Sequence, residues 1–144
     1  MKTAIGLVLF FATVVVGAEP SMSVWDGIYM APQADQGKVV YNQQCAVCHG
    51  DSLEGKNGPT LVGPTFKENW NGLTADDLFE YIKTSMPRGQ VGRLSREQTA
   101  TIVAYLLTFN GFPAGQKELP SDAKALQNIR FEAAKPGVES AKAQ

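Results

Sequence analysis

Five consecutive residues, Cys45-Ala46-Val47-Cys48-His49, hold both cysteines and the only histidine of this 144-residue chain. A structural zinc site takes four ligands, mostly from Cys and His, so a complete site of that kind cannot be built here. A disulfide is the usual interpretation of two cysteines, but it leaves the position of His49 unexplained. A thioredoxin-like Cys-x-x-Cys needs a βαβ context, and no strand-rich segment precedes Cys45.

The spacing Cys-x-x-Cys-His is instead the signature of covalent heme attachment. Two thiols three residues apart on one helical turn can form thioethers with the two vinyl groups of a heme, and the adjacent imidazole then faces the iron. Covalent attachment also retains the cofactor in an aqueous, exported protein. We therefore predict one heme c per chain, with Cys45 and Cys48 as attachment sites and His49 as an iron ligand.

The second axial ligand decides what such a heme does, since a protein ligand there favours electron transfer and an open position favours ligand binding or catalysis. With no second histidine, methionine is the remaining usual choice, and the other three methionines all precede the motif. Met86 follows a helical pattern and precedes Pro87 and Gly89, which place it on a loop. A core methionine is the alternative interpretation. We predict Met86 as the second iron ligand, and His/Met ligation raises the reduction potential.

The glycine- and proline-rich stretch 50–72 predicts a loop that wraps the heme edge, and two of its residues are candidate heme contacts. The carbonyl of Pro59 is free to accept the Nδ1–H of His49, the kind of contact that orients a ligating imidazole. A simple turn proline is equally compatible with the spacing. Trp70 is either a core residue or a donor of its indole N–H to a heme propionate.

The first 18 residues have the composition of a secretory signal peptide, with Lys2 at the start and an almost wholly apolar run from Ile5 to Ala18. A retained membrane anchor is the alternative, but the run is shorter than the roughly 20 residues that span a bilayer. We predict cleavage after Ala18, a periplasmic location and no stable membrane span after cleavage.

Helix signals are clearest in the second half of the chain. Thr74 with Asp77 and Ser95 with Gln98 form capping boxes. The helices expected from these and weaker signals cover about 35–44, 74–85, 95–110 and 121–128.

Several elements together resemble a class I cytochrome c: Gly37 and Tyr41, the 45–49 motif, Gly-Pro-Thr-Leu-Val-Gly at 58–63, Met-Pro at 86–87 and Ala-Tyr-Leu at 104–106. This resemblance implies an all-α class I cytochrome c fold, with three to five short helices wrapped around one covalently bound heme. It also implies that the first and last helices cross, with Gly37 and Tyr41 packed against Ile102 and Tyr105. In that family the proline carbonyl contacts the ligand histidine, which supports the role of Pro59.

The flanking segments 23–29 and 110–115 resemble the cytochrome domains that accompany PQQ-dependent alcohol dehydrogenases. The resemblances divide the chain into a signal peptide (1–18), an N-terminal arm (19–34), a cytochrome c domain (35–111) and a C-terminal extension (112–144). They imply redox partner proteins, among them a PQQ-dependent alcohol dehydrogenase and a terminal oxidase.

The sequence thus predicts a monomeric, periplasmic one-electron carrier rather than an enzyme. It would accept electrons from a quinoprotein dehydrogenase and pass them to the respiratory chain. A tightly bound cytochrome subunit of a dehydrogenase or oxidase complex is the alternative, and a heme peroxidase or ligand-binding protein is a weaker one. The formal net charge of −1 argues against nucleic acid as a partner.

Overall fold

The computed structural model of the chain describes residues 20–137, so the predicted signal peptide lies outside the described residues. Six helices and two very short strands are present in this range. In chain order they are β1 (Met22–Ser23), α1 (Ala31–Gln44), α2 (Ala46–His49), α3 (Pro64–Trp70), α4 (Ala75–Ser85), α5 (Arg96–Phe109), α6 (Ala123–Gln127) and β2 (Ile129–Arg130). The all-α class is as expected, and the helix count exceeds three to five because α2 and α6 are single-turn helices.

Helices α1 and α5 form the main helix–helix contact of the structure. They approach most closely at Gly37, where an added Cβ would lie only 1.8 Å from the backbone oxygen of Thr101. One turn further on, the rings of Tyr41 and Tyr105 pack with their centroids 5.3 Å apart. Only a residue without a Cβ allows this separation, so the crossing depends on Gly37.

Both predicted capping boxes are present. The Thr74 side chain accepts from the backbone N–H of Asp77 at the start of α4, and Ser95 and Gln98 make the equivalent pair at the start of α5. These caps satisfy backbone donors that a helix leaves unpaired in its first turn. They fix where two of the longer helices begin, on either side of the loop that contains Met86.

Two expectations about helix positions were wrong. Helix α1 begins at Ala31, with Pro32 in its first turn, and not at Asp35. The expected boundary between arm and domain at 34/35 therefore falls inside a helix. Helix α3 forms within the stretch expected to be a loop, since Pro64 occupies its first turn and no glycine follows before Gly72.

The N-terminal arm and the C-terminal extension are fastened to each other, and we call residues 22–33 with 112–131 the terminal clasp. Met22 pairs with Ile129 in the parallel β1–β2 contact. The Gly115 N–H donates to the backbone carbonyl oxygen of Tyr29 over 2.7 Å. The Tyr29 hydroxyl in turn donates to the carbonyl oxygen of Phe112 over 2.7 Å. Helix α6 and strand β2 also contact α4, so the described part of the C-terminal extension packs on the domain and holds the arm against it.

An aromatic cluster joins the clasp to the rest of the core. Phe112 packs against Trp25 at 4.6 Å between ring centroids and against Phe131 at 5.3 Å, and Phe131 meets Phe66 of α3 at 6.2 Å. The ammonium group of Lys67 lies 5.1 Å from the Phe112 centroid. Aromatic pairs at such separations add to the free energy gained by burial, so the clasp enlarges the hydrophobic core.

Candidate functional site

The attachment motif lies at the break between two helices. Helix α1 ends at Gln44, Cys45 leaves helical geometry with φ −121° and ψ −37°, and α2 follows. The backbone N–H groups of Cys48 and His49 both donate to the Cys45 oxygen, over 3.1 and 3.0 Å. One tight turn thus presents both thiols and the imidazole together, and both cysteines are free thiols rather than a disulfide.

The two thiols differ in exposure. Cys48 is exposed, whereas Cys45 is partly buried and packs against the core. Burial, with a smaller contribution from the negative charge of a Cys48 thiolate, raises the pKa of Cys45 to about 11. Before attachment, Cys45 is therefore a neutral thiol at neutral pH.

The imidazole of His49 is buried, and only 9% of the residue is exposed. Its Nδ1 lies 2.8 Å from the carbonyl oxygen of Pro59. A carbonyl can only accept, so Nδ1 carries the proton and Nε2 keeps its lone pair free for a metal. The backbone of Gly58 lies against the ring, where a Cβ would be 2.8 Å from Cε1. The structure therefore holds His49 in the tautomer and orientation that a ligand to iron needs.

Backbone hydrogen bonds tie the loop after the motif to the motif itself. The Gly55 N–H donates to the His49 oxygen over 2.7 Å, and the Gly58 N–H donates to the Cys48 oxygen over 2.8 Å. These bonds fix the loop directly before Pro59. The position of the Pro59 carbonyl is consequently set by the same residues that carry the thiol and the imidazole.

Met86 lies at the carboxyl end of α4, where its backbone turns to an extended conformation while its N–H still donates to the Ile82 oxygen over 3.0 Å. Its side chain is partly buried and packs against the core. The tight turn after it is closed by the N–H of Gln90, which donates to the Pro87 oxygen over 2.9 Å. The residue is thus held at the start of a loop, as expected, and its ligation of iron stays a prediction.

Trp70 ends α3 and is partly buried. Its ring packs edge-on against Tyr81, with centroids 5.7 Å apart, and against Phe66 at 6.5 Å. The ring is therefore core material, and a hydrogen bond from its indole N–H to a heme propionate stays a prediction.

The donor set and its surroundings fit a covalent heme. Two free thiols, one imidazole with a free Nε2 and one thioether supply the expected ligand chemistry. Of the predicted heme contacts, Cys45, Trp70 and Met86 pack against the core while staying partly exposed, so they keep surface that an apolar porphyrin can cover.

Sequence reasoning missed one residue that acts on this region. Asn110 is 6% exposed, and its side-chain amide bonds the loop that follows Pro59. It donates to the Leu61 oxygen over 2.9 Å and accepts from the Gly63 N–H over 3.0 Å. Asn110 stands before Gly111 at a helix end, so its local sequence context indicates an ordinary helix cap and gives no sign of this contact.

Comparison with known proteins identifies the family. Residues 32–106, just over half of the chain, match the family described as "Cytochrome C oxidase, cbb3-type, subunit III". The chain belongs to this cytochrome c family. It is therefore a c-type cytochrome with the all-α cytochrome c fold, it carries covalently bound heme c, and it is an electron-transfer protein.

Three curated relatives align with the chain. It is 38% identical over 78 residues to a thiosulfate dehydrogenase of Stutzerimonas stutzeri, and 30% identical over 84 residues to that of Psychrobacter arcticus. It is 35% identical over 60 residues to cytochrome c-551 of Bacillus subtilis. These alignments include 49%, 53% and 40% of this chain. The chain spans about a quarter of the length of the two dehydrogenases and half of the cytochrome c-551.

Among solved structures, a chain in the crystal structure of the sulfane dehydrogenase SoxCD from Paracoccus pantotrophus aligns with the present chain. The alignment covers 89% of the present chain and 71% of the chain in the SoxCD structure. The TM-score is 0.48 and the sequence identity is 22%. In residues 20–137 of the present chain, every helix is too short or too polar to cross a membrane.

Proposed function

We propose that this chain is a periplasmic one-electron carrier whose heme is held by Cys45, Cys48, His49 and Met86. When bound, the heme iron supplies one-electron exchange between Fe(II) and Fe(III). The observation that supports this proposal most directly is the 2.8 Å contact between His49 Nδ1 and the Pro59 oxygen. It fixes the tautomer and the orientation of the one histidine in the chain, and free Nε2 is the group that an iron ligand requires.

The residues of the chain have separate tasks in this proposal. Cys45 and Cys48 retain the cofactor through thioethers, and Pro59 orients His49. Met86 would supply the second protein ligand to the iron, and two ligands from the protein would be kept in both oxidation states. Little reorganisation then accompanies electron transfer, and the thioether shifts the potential upwards.

Catalysis at the iron is less compatible with this chain. A peroxidase or ligand-binding heme protein needs an open axial position, and a peroxidase also needs a distal acid–base group. The only histidine is His49, and its Nδ1–H is already donated to Pro59. The other predicted iron ligand is Met86, and its thioether cannot serve as an acid–base group because it has no proton to donate.

A permanently bound subunit of a larger complex is the second alternative. It assigns docking roles to the Trp25 arm and the C-terminal tail. In the structure these segments are used internally: the Trp25 ring packs on Phe112, and its indole N–H donates to the Glu132 oxygen over 3.0 Å. This internal packing favours a free, monomeric carrier.

For the electron donor we propose a periplasmic dehydrogenase, with a PQQ-dependent alcohol dehydrogenase as first candidate and a terminal oxidase as the acceptor further along the respiratory chain. The flanks that resemble cytochromes accompanying such dehydrogenases, 23–29 and 110–115, bond to each other through Tyr29, Phe112 and Gly115. This packing between the flanks is a structural reason for their resemblance to those cytochromes, and it does not require a shared partner. Since two relatives are thiosulfate dehydrogenases, an enzyme that oxidises thiosulfate is the second candidate donor.

The first experiment is a visible spectrum of protein exported to the periplasm, both oxidised and reduced, for the wild type and for Met86→Ala. We expect a sharp reduced c-type spectrum, heme that resists extraction, and a weak far-red band of sulfur-ligated ferric heme that Met86→Ala loses. Met30→Ala is the matched control, because Met30 precedes α1 and is also partly buried. If the far-red band is missing from the wild type or survives in Met86→Ala, Met86 is not the ligand.

The donor is tested separately. The ferric protein is mixed anaerobically with an alcohol-reduced quinoprotein dehydrogenase, and in a second series with a thiosulfate dehydrogenase and thiosulfate. Rapid reduction by one of the two supports that donor. Reduction by neither, in a protein with the expected spectrum, rejects both donors and leaves the carrier role intact.

A further inference from the structure

Asn110 is the residue that follows α5, and its side chain is almost fully buried, with 6% of the residue exposed. The amide group is used at both ends. Nδ2 donates to the oxygens of Leu61 and Leu106, each over 2.9 Å, and Oδ1 accepts from the Gly63 N–H over 3.0 Å. A buried amide with this many partners holds two separate pieces of backbone in one arrangement.

The two pieces are the end of α5 and the loop that contains Pro59. At its start this loop is fixed by the Gly58 N–H, which donates to the Cys48 oxygen over 2.8 Å. At its other end, Asn110 grips Leu61 and Gly63. Pro59 lies between these anchors and has no N–H of its own to secure it. The Leu61 N–H and the Thr60 hydroxyl also hold this loop, since they donate to the Leu53 oxygen over 2.8 and 3.1 Å. The position of the Pro59 carbonyl against His49 therefore depends on these bonds together with those of Gly58 and Asn110.

We propose that Asn110 is a positioning residue for the iron ligand, acting through the loop on the hydrogen bond between Pro59 and His49. The inference rests on the proposed function, in which His49 binds the iron. Donation of Nδ1–H to the carbonyl makes the imidazole a stronger electron donor, which favours Fe(III). A loop released from Asn110 weakens that hydrogen bond, so the reduction potential rises.

The test compares the reduction potentials of heme-loaded wild type, Asn110→Ala and Asn110→Ser. We expect a positive shift in Asn110→Ala, and a smaller positive shift in Asn110→Ser, whose hydroxyl can still serve one of the partners. The second readout is the exchange of the His49 Nδ1 proton with solvent, followed by NMR. It should be faster in Asn110→Ala than in the wild type.

Gln33→Ala is the matched control. Gln33 is also 6% exposed, and its amide also bonds backbone at both ends, donating to the Leu119 oxygen over 2.9 Å and accepting from the Leu119 N–H over 2.8 Å. It lies near the start of α1, twelve residues before Cys45, or about 18 Å along a helix. Loss of stability alone affects both variants, whereas only Asn110→Ala should shift the potential.

The outcomes separate the two proposals. A wild type without a c-type heme spectrum defeats the proposed function itself. With a normal wild-type spectrum, an unchanged potential in Asn110→Ala, or an equal shift in Gln33→Ala, overturns the role of Asn110 alone. If neither Asn110 variant yields heme-loaded protein, the test is the rate at which the Gly63 amide proton of the wild type exchanges with solvent. Slow exchange like that of α5 supports the anchor, and exchange at loop rates rejects it.

Discussion

Replacing Gly58 with alanine probes the contact between the loop and the imidazole of His49. The added Cβ would lie 2.8 Å from Cε1 and 3.0 Å from Nδ1, whereas carbon atoms in contact are about 3.5 Å apart. The loop or the ring must therefore move by about 0.7 Å. The backbone at Gly58 does not have a positive φ, so the substitution adds contact rather than backbone strain.

If the movement is taken up along the 2.8 Å hydrogen bond between His49 and Pro59, that bond lengthens to the limit of useful geometry. A hydrogen bond contributes a net 0.5–1.5 kcal/mol, roughly. For one electron this corresponds to about 20–65 mV, taking about 59 mV per tenfold change. The weakened bond makes His49 a poorer donor to Fe(III), so we expect the reduction potential of Gly58→Ala to rise by up to that amount.

Redox titration of the heme-loaded proteins measures this shift, with Gly72→Ala as the control. Gly72 has φ +81°, and a Cβ added there would have no atom within 4 Å. Alanine at this position therefore imposes backbone strain of about 1–2 kcal/mol without touching His49. An unchanged potential in Gly58→Ala, or an equal rise in Gly72→Ala, would refute the reasoning.

Two further predictions concern stability. Gly37→Ala should lower the free energy of unfolding by about 2 kcal/mol in a denaturant titration, because overpacking against the Thr101 backbone costs about 3 kcal/mol and better helix propensity returns about 1; an unchanged midpoint contradicts the close crossing. Tyr29→Phe should cost about 1–2 kcal/mol, since the buried Phe112 oxygen loses its donor. Burial raises the pKa of Tyr29 above 10.0, so its contribution is full below pH 10 and is lost as pH rises further. Stability should fall less steeply above pH 10 in Tyr29→Phe, and an identical slope would contradict this.

Local signals were enough to predict α4 and α5. A capping box involves residues three apart, so Thr74 with Asp77 and Ser95 with Gln98 specify a helix start without help from the rest of the fold. The attachment motif is local in the same way, since its thiols and imidazole occupy one turn. Such features can be read from a short window of sequence.

The start of α1 and the existence of α3 were missed because proline has two opposite effects on helices. Proline ends helices, and it is also favoured in their first turn. The sequence pattern places Pro32 and Pro64 in irregular segments, yet both stand in the first turn of a helix. Asp35 is an adequate cap by type, but α1 had already begun four residues before it.

The crossing of α1 and α5 was implied by the family resemblance, but other contacts between distant residues could not be predicted from the sequence. The strands β1 and β2 have two residues each, too few to show an alternating pattern, and the paired residues Met22 and Ile129 are far apart in the chain. The bonds from Asn110 to Leu61 and Gly63 join segments nearly fifty residues apart. These contacts exist only once the helices have packed.

Helix α5 and the residue that follows it contact the two segments that position the candidate site. These segments are α1, which leads into the attachment motif, and the loop that contains Pro59. Helix α5 crosses α1 at Thr101, and α1 carries the chain directly into Cys45. At its other end, Asn110 holds the loop whose Pro59 carbonyl contacts His49. The attachment turn and the ligand-orienting loop are thus positioned against one rigid helix rather than against each other alone. A shift of α5 would therefore move both the attachment turn and the loop. The close crossing at Gly37 and the buried amide of Asn110 hold α5 against these two segments.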